Sequence, residues 1–129
     1  MVNNEKRIFE GIGWRIGAMN EQQILKRIQL LEYHQKLIVM LLNNPNLEFY
    51  KLIIENRISE QETQKFYSLC DKLSKKMEEQ KAEGFVYFYP LFDEFLDSLP
   101  LNFFIKELIH SCLKQQLYEP LFKEFVKYL

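Results

Sequence analysis

Apolar residues recur along this chain at helical steps from position 21 onward, with no sustained strand-like alternation. Between Glu21 and Asn43, Ile24, Ile28, Leu31, Ile38 and Leu42 fall at alternating four- and three-residue steps, with Gln35 filling the gap. That spacing is a heptad seam over nearly three heptads. Leu30, Leu37 and Leu41, with Tyr33 beside them, form a second stripe on another side of the same helix. Two faces of this helix are therefore expected to be buried.

The stretch Asn43-Asn-Pro-Asn46 ends the helix, because the residue before Pro is pushed out of the α region and Asn tolerates turns. A short helix from about Leu47 to Asn56 follows, with little polar circumference, and is predicted to be a central packing piece. Ser59-Glu-Gln-Glu62 reads as a capping box opening a helix that runs to about Glu83, with Phe66, Leu69, Cys70, Leu73 and Met77 on its inner face. Gly84 supplies a left-handed stop. Phe85 to Tyr89 is predicted as an extended, buried connector. Pro90 opens a helix closed by Pro100, Asn102 is the expected cap of the next helix, and Pro120 opens the last. The pattern gives an all-α bundle of about six helices.

Composition adds scarcity of Gly and Pro, four of each, in a chain of 129 residues with 11 Phe, 7 Tyr and 1 Trp. Both features favour a helix-rich fold with a bulky core. Most of the aromatics lie beyond Phe85, where they supply the hydrophobic mass that short helices need. Seventeen Lys and Arg against eighteen Asp and Glu leave a net charge of −1, which argues against nucleic acid as a partner. The longest apolar run, Leu37 to Leu42, is far short of the roughly 20 residues that span a bilayer, so no membrane role is expected. With only Cys70 and Cys112, both on apolar helix faces, and no secretory leader, the expected location is the reducing cytoplasm. Residues 1–20 carry Gly11, Gly13 and Gly17 without sustained periodicity and are expected to be a flexible tail. Met19 marks an expected natural start, and residues 21–129 a single domain.

Candidate chemistry is sparse. Gly11-x-Gly13 lacks the strand, third Gly and βαβ unit of a dinucleotide site. His110 and Cys112 with Cys70 and His34 fail the paired spacing of a structural zinc site, and Cys70 on an apolar face has no His beside it. Asp93 and Asp97 share a helix face at i and i+4, with Glu94 adjacent, where a nearby helix N-terminus accounts for them. Lys72, Lys75 and Lys76 alternate with Asp71 and Glu79 as on a solvated face. No catalytic residue, metal or cofactor is expected. The informative feature is the seam, where Gln35 would set register in a symmetric pair, and the expected partner is a second copy, a dimer being favoured.

Three stretches carry a resemblance: Leu47-Glu-Phe-Tyr-Lys-Leu-Ile-Ile-Glu-Asn-Arg-Ile-Ser-Glu-Gln-Glu62, Cys70-Asp-Lys-Leu-Ser-Lys-Lys-Met-Glu-Glu-Gln-Lys-Ala-Glu-Gly-Phe-Val86, and Leu117-Tyr-Glu-Pro-Leu-Phe-Lys-Glu-Phe125. Together they resemble the YhaI-like family of small helical proteins from Gram-positive spore-forming bacteria. The resemblance implies an all-α cytoplasmic protein without established activity and brings no catalytic residues with it. The leading expectation is a non-enzymatic, self-associating interaction module built on Ile24, Ile28, Leu31, Gln35, Ile38 and Leu42, with a further protein as partner. A small-molecule or metal-binding sensor using an enclosed pocket beside Phe85 to Phe95 is the alternative, and a DNA-associated regulator the third.

Overall fold

The computed structural model describes residues 19–100 and 103–129. The expectations placed on the glycines of residues 1–18, and on Asn102 as a cap, lie outside the described residues. Among the described residues there are six α-helices and no strand. They are α1 (Glu21–Asn43), α2 (Glu48–Glu55), α3 (Glu60–Ala82), α4 (Tyr89–Ser98), α5 (Ile105–Lys114) and α6 (Glu119–Phe125), closed by a 3₁₀ turn over Val126–Tyr128. The fold is all-α, as the periodicity requires.

Local chemistry fixes the boundaries. The Asn20 side chain accepts from the Gln23 amide at 2.8 Å while Gln23 accepts from the Asn20 amide at 3.0 Å, so a capping box opens α1. Ser59 and Glu62 make the second box, at 3.1 and 3.4 Å, opening α3. Helix α3 ends at Gly84, whose φ of 96° is open to a residue without Cβ. There the Phe85 amide reaches back to the Gln80 carbonyl at 2.9 Å and the Gly84 amide to Lys81 at 3.0 Å, a Schellman turn. The same pair of bonds closes α2, with Arg57 left-handed at φ 54°, and α5, with Gln116 at φ 61°. Neither of these two stops shows a glycine. Helix α5 begins two residues later than expected, with Phe104 in the cap position.

Helix α2 is the central piece: it packs against both α1 and α5, while α6 packs on α5 and α3, and α4 on α3. Its Phe49 and Ile53 are fully buried. The core is an aromatic chain running through four helices. Phe49 lies 5.3 Å from Phe66, Phe66 stacks on Phe122 at 6.4 Å, and Phe122 meets Phe95 at 5.8 Å and Phe125 at 6.1 Å. Offset and edge-on ring pairs of this kind add about 0.5–1.5 kcal/mol each beyond area burial. Large rings thus compensate for helices only seven to ten residues long.

The connector departs from expectation. It forms neither helix nor strand over residues 85–88, and only Phe88 is buried, whereas Val86 is 88% exposed and Phe85 and Tyr87 also face outward. Once the Gly84 turn redirects the chain, the connector runs across the outside of the bundle with just one side chain reaching the core. The Tyr128 hydroxyl accepts from the Phe88 amide at 3.1 Å and holds it there. Outside, Tyr87 and Tyr89 stack at 6.3 Å, with Tyr128 edge-on to Tyr89 at 5.4 Å.

Candidate interaction surface

Helix α1 treats its two apolar stripes differently. His34 and Leu37 are buried against the body, and Leu30, Tyr33 and Leu41 are half-buried beside them. The seam turns outward. Ile28 and Ile38 are each 46% exposed, Leu31 66% and Leu42 79%, while Ile24 is half-buried and Gln35 exposed. Leu25 and Val39 widen this apolar strip. Among the described residues, the seam expected to be buried is therefore not covered by the other helices. At 1.5 Å per residue the helix is roughly 35 Å long, and the exposed apolar residues follow one another along it at three- and four-residue steps, interrupted by Gln35. Apolar area grouped in this way marks an interaction site more than an ordinary surface does.

His34 anchors the opposite face. Its Nε2 lies 2.8 Å from the Ile58 carbonyl, and since a carbonyl only accepts, that nitrogen carries the proton. Beside it, between α1 and the start of α3, runs a half-open groove of about 680 Å³ lined by Lys26, Lys36, Arg57 and Glu60 among others. Sequence reading does not find this groove, because its walls come from segments some thirty positions apart and mix both charges. A smaller groove of about 350 Å³ lies between α3 and α4, at Gln80, Glu83 and Leu91. That groove, bordered by Pro90, Leu91 and Glu94, is open and lies beside the stretch Phe85 to Phe95 where a ligand reading needs an enclosed pocket, while Phe88, Phe92 and Phe95 are buried in the core.

The remaining candidates take structural places. Cys70 and Cys112 are fully buried, and burial pushes both thiols well above their ordinary range. His110 is exposed on the same helix as buried Cys112, and among the described residues no three His, Cys, Asp or Glu side chains group as metal ligands would. Asp93 and Asp97 are exposed and lie beyond the first turn of α4, which holds no acid. The macrodipole explanation for them therefore fails. Between them Glu94 accepts from Lys76 at 2.8 Å and pairs with Lys72 at 3.4 Å, and the Lys76 hydrogen bond holds its carboxyl below the usual range. Lys72 and Lys76 thus bind across to α4, a pairing that the alternating charges along α3 do not announce. Gln80 contributes its backbone carbonyl to the Gly84 turn, a service any residue can perform.

Among the described residues no helix is long and apolar enough to cross a membrane. A family model described as "Protein of unknown function (DUF1878)" matches residues 20–129, from the Asn20 cap of α1 through the C-terminal turn. The chain belongs to this DUF1878 family.

Proposed function

We propose that this protein is a non-enzymatic interaction module of the bacterial cytoplasm that associates with a second copy of itself through the outer seam of α1. The observation that carries the reading is the exposure of Ile28, Leu31, Ile38 and Leu42 at heptad spacing on a helix whose other apolar stripe is already buried. An apolar strip of that length costs free energy in water and is relieved by association. The non-enzymatic part rests on the candidate side chains having structural work: Ser59 in a cap, both thiols in the core, Glu94 between two lysines. Within its family, we place the chain with the YhaI-like proteins, since the three stretches that carry that resemblance form α2 with the Ser59 cap, the end of α3 with its Gly84 turn, and α6.

Sedimentation equilibrium at micromolar concentration tests the association. The parent chain is expected to be a dimer, and Leu31→Glu with Ile38→Glu a monomer of unchanged helix content. A parent chain that is strictly monomeric overturns the reading. Retention on heparin that weakens with added salt would favour nucleic acid instead.

A further inference from the structure

Two copies joined through the seam can run in the same direction or in opposite directions. We propose that they run parallel and in register, α1 against α1, so that Arg27 of each copy meets the partner's Glu32 and the two Gln35 side chains face one another. The inference rests on the seam being the contact between copies.

The apolar layers do not choose between directions. Their steps of four, three, four, three and four read the same reversed, so Ile24 and Ile28 meet either their own counterparts or the partner's Leu42 and Ile38. The positions beside the seam do choose. With Ile28, Gln35 and Leu42 at a and Ile24, Leu31 and Ile38 at d, Arg27 and His34 fall at g, and Leu25, Glu32 and Val39 at e. In a parallel pair each g residue faces the partner's e residue five positions on, and such pairs set orientation. Arg27 then faces the partner's Glu32, twice by symmetry. In the full-overlap antiparallel pair, e faces e, and Glu32 meets the partner's Glu32 at the two-fold axis.

Both side chains are available. Arg27 and Glu32 are exposed and, among the described residues, neither joins an ion pair. Arg27 lies against the Met19 sulfur at 3.9 Å, and both side chains border the groove between α1 and the start of α3. Gln35 points the same way. Facing its counterpart, its amide can give and accept one hydrogen bond, as a buried polar a position does in setting register. Reversed, it packs on the partner's Leu31 and loses water without replacement. The body of each copy covers the side of α1 that carries Leu30 and Leu37 and reaches the g edge at His34. Leu37 and Leu30 sit about a third of a turn round from the seam at 3.6 residues per turn, which sends the two bodies to opposite sides of the axis.

Mild oxidation of a Leu42→Cys variant distinguishes the arrangements. In the parallel pair the two new thiols face each other within disulfide reach. In the antiparallel pair they are roughly 27 Å apart along the axis. The parent chain is the control, because Cys70 and Cys112 are fully buried. Expected are a covalent dimer from Leu42→Cys alone and about fivefold weaker association in Glu32→Gln. Arg27→Glu should weaken association further, and restoration is expected when it is combined with Glu32→Arg. A non-covalent dimer that crosslinks only when Ile24→Cys and Leu42→Cys are mixed, and that tightens in Glu32→Gln, overturns the parallel arrangement while leaving the seam as the contact. A strictly monomeric parent chain overturns both.

Discussion

His34 on α1 donates through Nε2 to the carbonyl of Ile58, 2.8 Å away, in the turn that separates α2 from α3. Ile58 is itself buried and bonded back to Ile53, so this contact ties the long helix to the end of the central one. His34→Phe keeps a ring of similar size and leaves a buried carbonyl without its donor. The expected cost is about 1–3 kcal/mol in urea unfolding. An unchanged midpoint would show that water serves the carbonyl equally well.

The Ser59 cap predicts a smaller effect. Ser59→Ala removes the acceptor of the Glu62 amide and the hydroxyl that donates to the Glu62 carboxylate. A loss of about 1 kcal/mol is expected, measurable as a lowered Tm with the helical spectrum otherwise intact.

Arg57 and Gln116 predict gains. Both hold left-handed backbone at the turns that end α2 and α5, a conformation glycine adopts without a Cβ clash. Arg57→Gly and Gln116→Gly should each raise stability by about 0.5–1 kcal/mol, after allowing for the greater freedom of glycine in the unfolded chain. Chemical denaturation of the two variants checks this, and destabilisation by both would rule out strain relief.

Glu94 predicts acid sensitivity. Its carboxyl, lowered first by the Lys76 hydrogen bond, is charged and paired above the ordinary glutamate value of about 4.3. A lowered folded value means that the stabilisation is present above that range and lost as pH falls through the folded value. Since both partners are partly exposed, Glu94→Gln should cost less than about 1 kcal/mol at pH 7. Parent and variant should converge at acid pH, and a difference that persists at low pH would assign the effect to packing.

The two thiols predict protection. Buried and raised, Cys70 and Cys112 should alkylate only as fast as the fold opens, and both should label fully in urea. Rapid labelling of native Cys70, read by mass spectrometry, would contradict the packing described for α3.

Much of this fold was legible because its signals are local. The range Glu21–Asn43 follows from periodicity and the Asn-Asn-Pro turn, the start of α3 from Ser59 and Glu62, and its end from Gly84. The ends of α2 and α5 were harder to read, since Arg57 and Gln116 occupy positions where a glycine would have announced the turn. The Phe85 connector misled because hydrophobicity reports what burial would gain, not what lies alongside to provide it.

The seam separates the two kinds of information. Sequence by itself determined that α1 carries two apolar stripes, because side-chain direction on a helix follows from 3.6 residues per turn alone. It could not determine which stripe the rest of the chain would cover. That was decided where α2 and the Ile58 turn meet α1 on the side of His34 and Leu37, a matter of long-range contacts between segments that share no local signal. Among the described residues the stripe through Leu31 and Leu42 is left facing water, and only the tertiary structure shows which of the two stripes that is.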